Sequence, residues 1–156
     1  MSKALLAGAL AVSLGLGGSV ALAGETIDEA GTITCVTDKW DEKEVAKGHK
    51  TADAVQRCVL IPDDPTAEKV AEDCQGSYEY LPDGTWKASG TCVDKFKSGD
   101  SITSSWEEGS HLKDYTYKKT GGTGKFKGAT GGGTYMYENV TDTLAGGRYQ
   151  GRIVLP

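Results

Sequence analysis

Apolar and polar residues alternate in short runs along most of this chain, the period of strands with one face buried. Thr32-Ile33-Thr34-Cys35-Val36-Thr37 is rich in β-branched residues, and Cys58-Val59-Leu60-Ile61 is an apolar run ended by Pro62. Ser77 to Tyr80 and Thr85 to Thr91 flank Pro82-Asp83-Gly84. There proline presets its φ, aspartate favours a turn and glycine tolerates positive φ, which predicts a hairpin. Ser101 to Glu107, Leu112 to Lys119, Gly133 to Val140 and Arg148 to Leu155 read as further strands, separated by glycine-bearing turns. Strands this short and this closely spaced predict an all-β barrel or sandwich. Two segments depart from the pattern. The charged stretch 41–56 reads as a loop or weak helix. Asp64 to Glu72 reads as a short helix, with Asp64 as N-cap and Pro65 in its first turn.

Residues 1–23 do not belong to this scheme. Lys3, the apolar stretch Ala4 to Val20 and the small-x-small site Ala21-Leu22-Ala23 have the form of a secretory signal, bacterial in style and cleaved after Ala23. The remainder, 24–156, is one domain. Removing Lys3 leaves 16 basic residues (17 − 1) against 22 acidic ones, a net charge of −6, which disfavours a nucleic-acid binder. No other apolar run is long enough to span a bilayer. Leu, Ile, Val and Phe supply only 20 of these 133 residues, so the core must lean on three Trp and seven Tyr.

Four cysteines, all after the leader, fit an oxidising compartment, periplasmic or secreted. Cys74 and Cys92 are equidistant from Asp83, so in a two-stranded ribbon they face each other. Of the three possible pairings, this one leaves Cys35 with Cys58. There is no C-x-x-C and no C-x-x-C-H, and the two histidines have no ligand spacing around them; no metal or cofactor is implied. Asn139-Val140-Thr141 matches a glycosylation acceptor, which carries little weight behind a bacterial leader.

The segment from Tyr117 to Gly131 contains Gly121-Gly122-Thr123-Gly124-Lys125-Phe126-Lys127-Gly128-Ala129-Thr130-Gly131, a G-G-T-G-x-F-x-G-x-x-G pattern after a strand. It resembles the corresponding hairpin of allene oxide cyclases and plant dirigent proteins, and of exported bacterial proteins of that barrel superfamily. The resemblance covers roughly the last quarter of the chain. It implies an antiparallel eight-stranded barrel, allene oxide cyclase-like and calycin-like, with a central apolar cavity and Phe126 turned inward. The family's enzymes shape a reactive lipid or phenol-derived intermediate without a nucleophile, and they assemble as dimers or trimers, which allows a homo-oligomer. The pattern is not a phosphate loop, since no G-K-[ST] ends it.

Trp106, Glu107, Glu108 and His111 form the densest polar-aromatic cluster. Alternation puts Ile102, Ser104, Trp106 and Glu108 on one face, and Thr103, Ser105 and Glu107 on the other. A carboxyl inside an apolar cavity would have a raised pKa and could carry protons; against this stands a solvated turn with surface glutamates. His111 is a weaker proton carrier than either, and reads more simply as a turn residue. Tyr115, Tyr117, Tyr135 and Tyr137 alternate on two strands and either line a ligand cavity or form barrel wall. Arg148 shares a strand face with Gln150 and Arg152; inward, it would receive an anionic head group, and outward it is solvated.

The sequence therefore predicts an exported, disulfide-linked barrel that binds a small apolar or amphipathic molecule. A cyclase or isomerase confining a reactive intermediate, and a structural protein of the cell envelope with a filled barrel, are the alternatives.

Overall fold

A computed structural model of the protein describes residues 24–156; the predicted leader, residues 1–23, lies outside them. Eight strands follow in order: β1 (Thr26–Ala46), β2 (His49–Pro62), β3 (Val70–Tyr80), β4 (Trp86–Lys95), β5 (Ser101–Gly109), β6 (Tyr115–Gly122), β7 (Thr130–Asn139) and β8 (Leu144–Val154). Each pairs antiparallel with its neighbour, and β8 returns to β1, so the sheet closes into the predicted eight-stranded barrel. Closure pairs the barrel strands on both sides, apart from the end of β1 beyond Val36, which runs past β8 and pairs with β2 alone. Among the described residues the one helical element is a single 3-10 turn, Gly124–Phe126.

Alternation sorts the side chains. On β5, Ile102, Ser104, Trp106 and Glu108 turn inward and are buried, while Glu107 is exposed. On β2, Ala52, Ala54, Cys58 and Leu60 face in, and Val55, Val59 and Ile61 face out. One end of the barrel is plugged. The glycine-rich connection after β6 folds into the 3-10 turn and drops Phe126 onto Phe96, ring centroids 4.4 Å apart, beside Ile102, Ala129 and Ile153. Burying that phenylalanine contributes about 1.5–3 kcal/mol. The inward Phe126 expected from the motif is thus seated against the barrel's closed end.

Both predicted disulfides form, and the register explains them. Cys35 lies directly opposite Cys58, and Cys74 opposite Cys92, with Cα–Cα distances of 4.0 and 4.1 Å. The turn between β3 and β4 is the expected one, with Gly84 at φ +84°.

Two expectations are corrected. Stretch 41–56 is no loop or helix: it forms the ends of β1 and β2, joined by a tight turn at Lys47-Gly48 with Gly48 at φ +72°. The tip of this hairpin projects past the barrel, so both faces are solvated and no apolar period marks it. Cross-strand charge pairs replace it, such as Lys50 to Glu42 at 2.7 Å. The segment Asp64 to Glu72 is not a helix. The Asp64 carboxylate accepts from the Thr66 amide at 2.8 Å and closes one turn, after which the chain returns to strand at Val70. Val70, Cys74 and Tyr78 then alternate into the lumen, and this burial outweighs the weak helix start.

Candidate functional site

The lumen has two levels with different chemistry. The inner level, above the plug, is ionic. The Lys119 ammonium on β6 lies 3.0 Å from Asp94 on β4 and 3.4 Å from Glu29 on β1, and 4.9 Å from the centroid of the Tyr117 ring. Lys119 and Asp94 are almost wholly buried. Burial pulls the Lys119 pKa down, but the carboxylates of Asp94 and Glu29 more than offset it, so the pKa stands above the ordinary lysine value. Glu72 on β3 completes the group. Its carboxyl borders the inner cavity and keeps some accessible surface, yet protein hems it in. Burial, then the charge of Asp94, pushes it up to about 8. Three carboxyls thus meet one ammonium, and the surplus is reduced by a proton on Glu72.

Glycines make room for this level. Tyr117, Gly133, Gly151 and Glu29 occupy one register row across four strands. The tyrosine lies across the two glycines, and its hydroxyl donates to Glu29 at 2.6 Å. A Cβ at Gly133 would sit 2.7 Å from that hydroxyl. A second row, Gly76, Gly90 and Trp106, works the same way. The Trp106 indole lies over both glycines, and a Cβ at Gly90 would approach its Cζ2 to 2.5 Å. With the two disulfides also facing inward, the inner cavity shrinks to about 50 Å³. That volume fits a few water molecules and no drug-sized ligand.

The outer level is an open aromatic mouth of about 610 Å³. Trp40, Tyr78, Tyr80, Trp86, Tyr115 and Tyr137 surround it. Neighbouring rings lie 4.9 to 6.5 Å apart, from Trp40–Tyr78 and Trp40–Tyr80 through Trp86–Tyr115 to Tyr115–Tyr137. Trp40 joins them through a β-bulge. The β1–β2 register slips between Thr37 and Lys39, so Trp40 turns to the lumen side opposite Ala54. Ala52 and Ala54 on β2 are small enough to leave space under the rings.

Glu108 forms the floor of the mouth and is only 4% exposed. Its carboxylate accepts hydrogen bonds from the hydroxyls of Tyr135 at 2.7 Å and Tyr137 at 2.9 Å. Burial raises its pKa above the ordinary value, and the two tyrosine hydroxyls pull it back. A carboxylate that accepts hydrogen bonds from two phenols and touches an open cavity can hold a cation or carry a proton.

The candidate residues read from the sequence separate cleanly. Trp106, Tyr115, Tyr117, Tyr135, Tyr137 and Glu108 all face the lumen. Glu107 and His111 lie outside it on exposed positions, because Glu107 has the opposite strand parity and His111 sits in the turn after β5. Arg148 is also outside: it projects from the outer wall of β8 and pairs with Asp63 at 2.9 Å, so it receives no head group in the lumen. The sequence reading missed Glu29, Glu72, Asp94 and Lys119, and the mouth residues Trp40, Tyr78, Tyr80 and Trp86. The signal for three of these was present. A disulfide cysteine marks the inward parity, and Glu72 and Asp94 each stand two residues from one; Lys119 continues the parity of Tyr115 and Tyr117. Cys58, Glu72 and Cys74 cluster closely enough for metal binding, but both sulfurs are locked in disulfides and are not thiolate ligands.

No family model matches this chain, and no curated protein does. Solved structures do share its fold. The pterocarpan synthase dirigent protein GePTS1 is 15% identical, with a TM-score of 0.54 over 94% of this chain and 97% of its own. The pterocarpan synthase dirigent protein PsPTS1 is 12% identical, with a TM-score of 0.54 over 85% and 97%. A protein of unknown function from the DUF3224 family of Shewanella oneidensis is 9% identical, with a TM-score of 0.56 over 85% and 98%. The resemblance to dirigent barrels therefore holds for the fold.

Proposed function

We propose that the protein is an exported barrel, of the allene oxide cyclase and dirigent kind, that binds one small apolar or amphipathic molecule in its aromatic mouth. The open cavity of about 610 Å³ ringed by six aromatic side chains carries this reading. Rings give area for apolar contact at low entropic cost, and the tyrosine hydroxyls and Glu108 give orientation. The inner level is too small to compete for the ligand. Two disulfides fit export to an oxidising compartment, and no helix among the described residues is long and apolar enough to cross a membrane. Val36, Val59 and Ile61, exposed on the outer wall of β1 and β2, support self-association.

Thermal unfolding against a panel of phenols and fatty acids tests the binding role. A ligand at a hundred times its Kd adds about 2.7 kcal/mol, a shift of several degrees. Silence across the whole panel removes the reading. Mass measurement of the exported protein tests cleavage after Ala23, and light scattering tests self-association.

A second reading, a cyclase or isomerase, draws support from Glu108. Of the three weak catalytic candidates it is the one that faces the lumen, and burial raises its pKa toward proton exchange. Turnover of a reactive phenol-derived intermediate that is lost in Glu108→Gln would favour it.

A further inference from the structure

Resting on the reading of the mouth as a ligand site, we propose that its ligand is an organic cation, a quaternary or aromatic ammonium group seated among the rings above Glu108. Four observations lead there. The six rings stand around one open space and pack on their neighbours at 4.9 to 6.5 Å, which gathers enough aromatic surface in one place to receive a cation. Glu108 places a buried carboxylate beneath them, and among the described residues no lysine, arginine or histidine pairs with it. On the rim, Asp38 is held by Arg57 at 2.7 Å and Lys39 by Asp41 at 3.1 Å, which leaves Asp142 as added negative charge and no free cation among the lining residues. One level down, the protein seats its own cation by the same means: Lys119 stands over the Tyr117 ring and against Asp94.

The same features exclude other charges. A carboxylate or phosphate in the mouth would face Glu108, and the one lysine of the rim, Lys39, is already held by Asp41. A hard metal ion needs several oxygen ligands, and the floor supplies one carboxylate whose oxygens are engaged by phenol hydroxyls. A bulky, weakly hydrated ammonium has neither problem: its charge meets the carboxylate and its methyl groups meet the rings.

The test compares choline with 3,3-dimethylbutan-1-ol, the same shape without charge, and adds 4-propylphenol as a neutral aromatic. Binding is read by the fluorescence of the protein's tryptophans, two of which, Trp40 and Trp86, line the mouth. Choline is expected to bind about tenfold tighter than the neutral alcohol. In Glu108→Gln this preference should fall to about twofold or less. Equal binding of choline and the alcohol by the unaltered protein overturns the cation proposal, and 4-propylphenol binding would then leave the ligand-site reading intact. If none of the three binds, both fall. The unaltered protein decides the question even where Glu108→Gln does not fold.

Discussion

Replacing Lys119 with methionine keeps the length of the side chain and removes the cation that faces Glu29 and Asp94. At separations of 3.0 and 3.4 Å and an effective dielectric of about 20, each attraction is worth about 5 kcal/mol before desolvation. Removing the ammonium also removes its own desolvation cost, several kcal/mol, so the net loss at pH 7 is about 3–5 kcal/mol, the range for stranding one side of a buried pair. That is a large share of a small domain's stability. The loss must also depend on pH, through Glu72. Its folded-state pKa, about 8 against an ordinary 4.5, means that it stabilises the fold fully only below the ordinary value. That contribution disappears as pH rises through about 8. Lys119 holds Glu72 down, so without it the decline continues to higher pH and the gap between variant and parent widens above about pH 8. Urea unfolding followed by tryptophan fluorescence, disulfides intact, at intervals between about pH 7 and pH 9.5 gives both quantities. A loss below about 1 kcal/mol at pH 7, or one that is flat across that range, would refute the ionic account of the inner level. Asp94→Asn added to Lys119→Met should recover part of the loss.

Three further outcomes follow from the same geometry. Mutating Cys74 and Cys92 to serine opens a loop of sequence separation 18 and should cost about 3 kcal/mol in urea unfolding; a change under about 1 kcal/mol would mean the unfolded chain is not constrained by the bond. Gly90→Ala drives a methyl into the Trp106 indole and the Gln75 carbonyl, so it should cost about 1–3 kcal/mol and shift the tryptophan emission, whereas Gly99→Ala, with open space around it but a positive φ, should cost less and leave the emission alone. All seven tyrosines have pKa values raised, by burial first, with Tyr149 pushed up to about 12. Tyrosinate absorbance should therefore appear only as the barrel unfolds in alkali; full titration near pH 10 with far-ultraviolet circular dichroism unchanged would contradict the buried placement.

The strands were legible because alternation is a local signal, and Ile102, Ser104, Trp106 and Glu108 need only their own parity to be placed on one wall. Closure into an eight-stranded barrel, with Phe126 inward, was legible through the resemblance carried by the glycine-rich segment, whereas the plugged end was not. Both disulfides were legible for the same reason, since the hairpin centre at Asp83 fixes who faces whom. What was hidden is non-local. Trp40 enters the mouth only because a bulge at Asp38 reverses its parity, and nothing in Asp38-Lys39-Trp40 announces a bulge. The Lys119 cluster draws on β1, β4 and β6, strands whose separation in sequence conceals their convergence. Asp64-Pro65 misled because its start signal is real but satisfied within one turn, after which lumen burial takes over.

The division of the lumen also determines what can approach it. The deep end is already occupied by the chain's own groups: Tyr117, two disulfides and the Lys119 pairs fill it down to about 50 Å³. On the proposed reading a ligand is stopped at Glu108, above this narrow inner level. The inner group beneath that floor keeps more carboxyls than ammonium groups, so even with Glu72 protonated it adds to the negative potential of Glu108. Low-dielectric walls focus that field outward through the mouth. On the proposed ligand-site reading, the aromatic surface would set affinity for a flat or compact apolar body, and the buried carboxylate of Glu108 would set the sign of charge that body is allowed to carry.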